Sequence, residues 1–185
     1  MKKDRIYIYG LALIASFIIS LLFDVIISKS ITSLRFDALS SIMLIFISSI
    51  FMTAVLAGAS ILVFLQNKKK VLYLWLSIVS GLVVSIALKI IIARPRPFVN
   101  GISTLSSLVQ SSYTKWDFSF PSDHAVFAFA MLPFIPKKWF WPWLIISILI
   151  AFSRVYFGLH YLSDVIAGAS IGLLSAYLFN KIKDG

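Results

Sequence analysis

The sequence lacks cysteine and is poor in histidine and acidic residues: its 185 residues include two histidines and seven acidic side chains. The absence of cysteine excludes disulfides and thiolate chemistry, and it leaves the redox compartment open. Charged residues make up 13% of the chain and hydrophobic residues 60%, far from the composition of an average soluble domain. The composition therefore predicts an integral membrane protein, with residues 1–185 forming a single membrane-embedded domain.

Long apolar runs predict how the chain crosses the membrane. A hydrocarbon core about 30 Å thick needs roughly 20 helical residues, so we expect an all-α bundle of six transmembrane helices. The first run is too long for the apolar part of a signal peptide, so we expect it to be retained. The predicted helices cover residues 6–28, 41–65, 71–93, 122–136, 139–157 and 160–180.

The basic residues predict the orientation of the bundle. The net charge of +10 could indicate nucleic acid, but most of the charges lie at the ends of apolar runs, where they orient membrane proteins and contact anionic lipids. By the positive-inside rule we expect cytoplasmic termini in a multi-pass cell-membrane protein, and no nucleic-acid partner. The residues that define this side are Lys2, Lys3, Arg5, Lys68, Lys69, Lys70, Lys137, Lys138, Lys181 and Lys183.

The first cluster of polar residues on the predicted outer side is basic. Lys89 and Arg96 are seven residues apart, two helical turns, so both cations could project into one pocket. Lys89 lies among isoleucines, where a buried cation predicts an anionic partner. For Arg94 we expect only the ordinary extension of a long basic side chain toward the lipid headgroups.

The second cluster is Pro121-Ser122-Asp123-His124. Ser or Asp before an apolar run is typical of a helix N-cap, and the free N–H groups of a helix start bind anions. Capping is the simplest interpretation of Ser122 and Asp123. A histidine beside a bound anion can protonate a leaving group, which makes His124 a candidate general acid.

The third cluster contains Ser153, Arg154, His160 and Asp164. Arg154 offers a planar, bidentate ligand for phosphate. In a helix, His160 and Asp164 would share a face at i and i+4, so the carboxylate could hold one ring nitrogen and leave the other free. The pair could also bind a metal ion. The neighbouring cations oppose a divalent ion, so we expect neither a metal nor another cofactor.

Together these clusters resemble the signature of the type 2 phosphatidic acid phosphatase superfamily, membrane lipid phosphatases related to vanadium haloperoxidases. That signature reads Lys, six residues, Arg-Pro; then Pro-Ser-Gly-His; then Ser-Arg, five residues, His, three residues, Asp. The match covers residues 89–164. Its members here are Lys89, Arg96-Pro97, Pro121-Ser122-Asp123-His124, Ser153-Arg154, His160 and Asp164.

The resemblance implies a role for each matching residue. His160 would take the phosphoryl group as a phosphohistidine, Asp164 would orient it, and His124 would protonate the leaving oxygen and then activate water. No metal is needed in this scheme, and the site would face the outer side of a six-helix bundle. The phosphate oxygens would be bound by Lys89, Arg96, Ser122 and Arg154.

Asp123 departs from the superfamily pattern, where glycine is usual. Its backbone N–H can still donate to phosphate, but its carboxylate should repel a dianion unless Arg94 or Arg96 pairs with it. The variant Phe-Pro-Ser-Asp-His, after Arg-Pro-Arg-Pro-Phe, is similar to undecaprenyl-diphosphate phosphatases. The resemblance therefore implies hydrolysis of a polyprenyl diphosphate to the monophosphate, which would recycle a lipid carrier.

Several alternatives remain open from the sequence. The enzyme could act more broadly on phosphatidic acid, phosphatidylglycerol phosphate or a polyprenyl monophosphate, or the basic pocket could belong to a non-catalytic lipid-phosphate binder or transporter. The 29–40 segment could be a plain connector or an interfacial helix, and residues 101–116 could form a lid or a solvated loop. Gly168 and Gly172 predict close helix packing, which we expect inside the bundle rather than in a dimer.

Overall fold

The computed structural model describes residues 3–103 and 117–183, with side chains described within 14–103 and 117–180. This described part contains seven α-helices and no β-strand. Two short 3-10 turns, Leu132–Phe134 and Lys137–Trp139, join the fifth helix to the sixth. The helices are α1 (Lys3–Ser33), α2 (Asp37–Ile47), α3 (Ser49–Gln66), α4 (Lys68–Ile92), α5 (Asp123–Met131), α6 (Phe140–Tyr156) and α7 (Leu162–Lys183).

The predicted all-α membrane architecture is confirmed at the level of helices. In the described ranges, five segments are long and apolar enough to cross a membrane, and they belong to α1, α3, α4, α6 and α7. The segment predicted as the fourth span, 122–136, is a shorter apolar stretch over Asp123–Phe134. The count of six spans therefore stays a prediction.

The prediction of one helix over 41–65 was wrong. The chain breaks at Ser48, where the backbone is extended at φ −72° and ψ 140°. The Ser48 hydroxyl accepts a hydrogen bond from Phe51 N at 3.1 Å, which caps α3. Serine satisfies free N–H groups at a helix start, so it favours a new helix over the continuation of the old one. The predicted 29–40 connector shrinks to residues 34–36 because α1 runs to Ser33 and α2 begins at Asp37.

Helix α5 lies at the centre of the bundle and packs most closely against α7. A Cβ on Gly168 would overlap the carbonyl oxygen of Ser122, and a Cβ on Gly172 would overlap that of Val126. Helix α4 also packs closely, since a Cβ on Gly81 of α4 would lie 2.8 Å from Val126 Cγ1 and 3.2 Å from Ser175 Oγ of α7. The prediction that Gly168 and Gly172 pack inside the bundle is confirmed.

The two ends of the bundle differ in chemistry. At one end Gln66 Nε2 donates to Phe134 O at 3.5 Å and Asn180 Nδ2 donates to Pro133 O at 3.3 Å. These contacts bring together the end of α3, the 3-10 turn that follows α5 and the end of α7, next to the lysines of 68–70 and 137–138. The opposite end, where α4 ends and α5 and α7 begin, collects the predicted site residues. The predicted lid at 101–116 lies outside the described residues apart from 101–103.

Candidate active site

The end of α4 holds the loop that leads into α5. Lys89 Nζ donates hydrogen bonds to Pro121 O at 2.7 Å and to Phe118 O at 3.2 Å. Beyond the helix, Ser119 N donates to Arg94 O at 2.8 Å, and the Phe120–Pro121 peptide is cis. Lys89 thus fixes the loop that carries Ser119 and Ser122.

The end of α6 turns the chain so that His160 enters the bundle. Gly158 takes a positive φ of 72°, which is accessible to glycine without a Cβ penalty. Its N–H donates to Val155 O at 2.9 Å, and Leu159 N donates to Arg154 O at 3.0 Å. This pair of bonds is a Schellman motif, which ends a helix and satisfies its last carbonyls. The motif leaves His160 in the short link before α7.

The hydrogen bonds of His160 define its tautomer. Nδ1 lies 2.7 Å from the carbonyl oxygen of Ser119, and Nε2 lies 3.2 Å from Arg96 Nη1. A carbonyl oxygen only accepts and a guanidinium only donates. The proton therefore belongs on Nδ1, and Nε2 carries the lone pair. A nucleophilic histidine needs this arrangement.

Cations surround the histidine. Arg96 Nε donates to Asp117 O at 2.7 Å and Nη1 donates to Leu159 O at 3.0 Å, which fixes the guanidinium beside His160. Arg154, in the last turn of α6, has only 1% of its surface exposed. Burial lowers the pKa of His160 well below its usual 6.5, and the charges of Arg96, Lys89 and Arg154 lower it further. His160 is therefore neutral near pH 7.

Asp164 contacts His160 less closely than the spacing predicted. Its Oδ2 lies 3.6 Å from His160 Nδ1 and accepts a hydrogen bond from Tyr161 N at 2.8 Å. The reason is that α7 begins at Leu162, so His160 lies outside the helix and the i, i+4 geometry does not apply. Asp164 instead sits in the first turn and caps the helix from within, like the acidic member of a capping box. The close partner of Nδ1 is the Ser119 carbonyl.

The expectation that Arg94 only reaches the lipid headgroups was wrong. Arg94 Nη1 donates to Asp164 Oδ1 at 2.7 Å and to Ser163 Oγ at 2.7 Å, while Nη2 donates to Asp24 Oδ2 at 2.8 Å. The guanidinium also stacks on Tyr161, with Cζ 3.9 Å from the ring centroid. Arg94 is therefore a bridge between two carboxylates, one of them on α1.

Sequence reasoning missed Asp24 and the Ser119 carbonyl. A signal for Asp24 was present, because it is a carboxylate inside a long apolar run, where ionisable residues are rare and functional. A backbone carbonyl leaves no such mark in a sequence.

Ser122 and Asp123 do not act as simple caps. Ser122 occupies the N-cap position of α5, but its buried hydroxyl makes no capping bond and no other hydrogen bond within the described residues. Asp123 Oδ1 accepts from Ser85 Oγ at 2.5 Å, and Oδ2 lies 3.5 Å from Lys89 Nζ. The cation beside Asp123 is thus Lys89, and not Arg94 or Arg96, the two partners considered from the sequence.

His124 opens onto an apolar groove. It lies one residue into α5 and interacts electrostatically with His160, Arg154, Arg96 and Lys89, so the predicted site residues of all three clusters do come together. The groove has a volume of about 310 Å³ and runs between α3, α4 and α5. Its lining includes Met52, Leu56, Leu82, Asp123, His124 and Phe127.

Comparison with known proteins assigns the family. Residues 70–184 match the family model of the PAP2 superfamily. The chain belongs to this superfamily. The resemblance drawn from the three motifs is confirmed, and all three lie inside the matched range, whereas α1 to α3 lie outside it.

Relatives in the superfamily carry related names. Undecaprenyl-diphosphatase BcrC of Bacillus subtilis (strain 168) is 34% identical over 122 residues, 64% of this chain and 61% of that protein. An undecaprenyl-diphosphatase of Sulfolobus acidocaldarius is 35% identical over 130 residues, 68% of this chain and 61% of the relative. The matched part of the chain thus spans about three fifths of the length of these relatives.

Solved PAP2 structures share the fold. The transmembrane PAP2-type phosphatidylglycerolphosphate phosphatase of Bacillus subtilis superposes with a TM-score of 0.72 at 24% identity, covering 94% of this chain and 95% of that one. Aquifex aeolicus LpxE superposes with a TM-score of 0.68 at 25% identity, covering 86% and 95%. The helical arrangement is therefore that of PAP2 membrane proteins.

Proposed function

We propose that the protein is a membrane lipid phosphatase in which Nε2 of His160 attacks the phosphorus of the substrate. The observation that carries this proposal is the state of His160. Its Nδ1 proton is held by Ser119 O, so the lone pair of Nε2 points toward Arg96 in a buried pocket. A neutral imidazole among fixed cations suits attack on a phosphate dianion, because the cations stabilise the charge that spreads over the phosphoryl oxygens.

Four side chains would bind those oxygens: Lys89, Arg96, Ser122 and Arg154. Ser122 supports this assignment because a buried hydroxyl without a hydrogen-bond partner is rare in proteins and calls for a ligand. The N–H groups at the start of α5, including that of Asp123, add further donors. Lys89 now bonds to two loop carbonyls, and a phosphate oxygen would compete for the same ammonium group.

In the first step the Nε2–P bond forms and the P–O bond to the leaving group breaks, while His124 donates its proton to the leaving oxygen. In the second step His124 takes a proton from water, whose oxygen attacks phosphorus and displaces His160. Asp164 would stabilise the positive charge on the His160 ring between the two steps. The groove at His124 would receive the lipid, because the leaving group carries the lipid chain and must depart on the side of the proton donor.

We propose a polyprenyl diphosphate as the preferred substrate, hydrolysed to the monophosphate. The support is the Phe-Pro-Ser-Asp-His variant together with the names of the two relatives at 34% and 35% identity. A second candidate is phosphatidylglycerol phosphate, since Phosphatidylglycerophosphatase B of Bacillus subtilis is 39% identical over 75 residues. A non-catalytic lipid-phosphate binder would need the cations, but it would not need a buried histidine whose Nδ1 proton is held and whose Nε2 lone pair faces the pocket.

We further propose that residues 1–185 form one membrane domain with six spans, cytoplasmic termini and the site facing outward. The support is that the site and the lysines of 68–70 and 137–138 lie at opposite ends of the bundle. Cysteine accessibility tests this topology directly, since the chain has no cysteine of its own. A cysteine at Lys69 should be protected from a membrane-impermeant thiol reagent in intact cells, and one at Asn100 should react.

The activity is tested by phosphate release from undecaprenyl diphosphate, phosphatidic acid and phosphatidylglycerol phosphate. Purified protein in detergent with EDTA is compared with His160→Ala and with Lys137→Gln, an exposed change at the opposite end of the bundle. We expect metal-independent release, fastest with the diphosphate, unchanged by Lys137→Gln and abolished by His160→Ala. Release at similar rates from all three lipids would overturn the substrate proposal, and no release by folded protein would favour the binder.

A further inference from the structure

A buried charge network links the first helix to the proposed nucleophile. Asp24 of α1 is 2% exposed and the side chain of Asp164 is fully buried. Arg94 lies between them, 2.8 Å from Asp24 Oδ2 and 2.7 Å from Asp164 Oδ1. On the other side, Asp164 Oδ2 lies 3.6 Å from His160 Nδ1. The order in space is therefore Asp24, Arg94, Asp164, His160.

Asp24 also holds the start of α7. Its Oδ1 accepts a hydrogen bond from Ser163 N at 3.0 Å, and its Oδ2 accepts one from Ser163 Oγ. A carboxylate at a helix N-terminus satisfies free N–H groups and interacts favourably with the helix dipole. Asp24 does this from another helix, so it fixes α7 and Asp164 relative to α1.

We infer that Asp24 and Arg94 form a positioning pair that sets the orientation and effective charge of Asp164, and through it the reactivity of His160. This inference rests on the proposed function. Asp24 lies outside the 70–184 range that matches the superfamily. The inference therefore gives α1 a role in positioning the catalytic residues, a role that the superfamily motifs do not contain. Neither residue needs to touch the substrate.

The charges explain why two carboxylates share one arginine. Arg94 alone would neutralise Asp164, and His160 would lose the negative charge that stabilises its phosphorylated ring. Asp24 binds the other end of the Arg94 guanidinium. Asp24, Arg94 and Asp164 together then have a formal charge of −1. Without Arg94, two buried carboxylates would lose their shared cation, and a buried charge without its partner is strongly destabilising.

A double-mutant cycle on the full-length protein tests this charge balance. Asp24→Asn should lower kcat for undecaprenyl diphosphate about 10- to 100-fold, the range expected when a catalytic group is misplaced by about 1 Å. Arg94→Gln should lower it at least as much. Asp24→Asn/Arg94→Gln removes one negative and one positive charge, so it should be faster than Arg94→Gln alone. In all three variants KM should stay within about threefold of the wild-type value, because the residues proposed to contact the substrate are unchanged.

Two further variants separate positioning from folding. Asp37→Asn removes an exposed carboxylate at the start of α2 and should behave as wild type. Arg94→Lys keeps the charge but loses the two-sided fork, so it should recover part of the activity that Arg94→Gln loses. If Arg94→Gln does not fold, Asp24→Asn and Arg94→Lys are each compared with wild type as single changes, and both should lower kcat. Wild-type kcat in Asp24→Asn, or a double variant slowed by the product of the two single effects, would overturn the inference.

A spectroscopic readout works without any substrate. The chain has only two histidines, so protein labelled with 15N-histidine, purified through a histidine-free tag, gives two sets of ring signals, which His124→Gln assigns. We expect the His160 ring shifts to move in Asp24→Asn and to return toward wild type in the double variant. Unchanged shifts in every variant would refute the network. Absence of phosphate release by the wild type would refute the proposed function. The ring shifts would still show whether Asp24 and Arg94 influence His160.

Discussion

Arg96→Lys is the sharpest test of how the site holds phosphate, because it keeps the positive charge and removes the planar guanidinium group. The Arg96 guanidinium donates in several directions, to Asp117 O, to Leu159 O and toward His160 Nε2. A lysine has one nitrogen on a flexible stem and cannot reproduce that fork. Any oxygen of a phosphoryl group attacked by Nε2 would lie next to this guanidinium, whose position the two carbonyls fix.

The magnitude follows from the bonds that are lost. Removal of one preorganised donor to a transition-state oxygen lowers kcat about 100- to 1000-fold. A lysine would keep about one of the two carbonyl bonds, and a hydrogen bond to a charged group is worth about 1.5–3 kcal/mol, so Tm should also fall. We expect Arg96→Lys to release phosphate from undecaprenyl diphosphate at least about 100-fold more slowly than wild type.

The assay is steady-state phosphate release in detergent, normalised to folded protein by size-exclusion chromatography, with Lys137→Gln as the reference change. If Arg96→Lys retained a third or more of the wild-type kcat, charge alone would suffice. The fixed geometry of the guanidinium would then have no catalytic role.

Three further predictions concern backbone geometry and pH. Gly158→Ala adds a Cβ at φ 72° against Ser103, so Tm and kcat should both fall, and the control Gly101→Ala, at φ 65° with open space around it, should lower Tm less. Gly172→Ala places a Cβ on the Val126 carbonyl oxygen and should destabilise by about 1–3 kcal/mol; Gly58→Ala, whose Cβ would meet only Trp143 at 3.4 Å, should change little in thermal unfolding. Because the pKa of His160 lies well below 6.5, a pH series of kcat/KM should show no loss as pH falls from 7.5 to 6.5, whereas loss with a midpoint at 6.5 or above would contradict a neutral nucleophile.

The existence of the long helices could be predicted from hydropathy alone, since all five long apolar helices lie largely within predicted apolar runs. The failures came where a single polar group decided the backbone. Ser48 ends one helix and caps the next, but it lies in a run that averages as strongly apolar. His160 precedes α7 because Gly158 allows a left-handed turn, which shifts the first helical residue to Leu162 and changes the expected contact with Asp164.

The residues of the site could be predicted better than their partners. The three motifs contain the predicted site residues, and the fold brings these side chains to one end of the bundle. Which group holds each of them depends on contacts far apart in sequence, such as Lys89 with the carbonyls of Phe118 and Pro121. Arg94 was misjudged because its position at a helix end is equally typical of a side chain that reaches the headgroups, and only the fold shows two carboxylates within its reach.

The energetic cost of burying a charge also makes a prediction for Asp24. A carboxylate in the middle of an apolar helix is expensive unless it is paired, so its presence predicts a cationic partner somewhere in the bundle. The chain offers few cations away from the predicted cytoplasmic end, and Lys89, Arg94, Arg96 and Arg154 are among them. Three of these match the phosphate-binding positions of the superfamily signature, so Arg94 is one of the cations to which the sequence assigns no anion, together with Lys29, Arg35 and Lys115. Charge balance therefore predicts that Asp24 has a cationic partner, and the fold identifies that partner as Arg94, 70 residues away in the sequence.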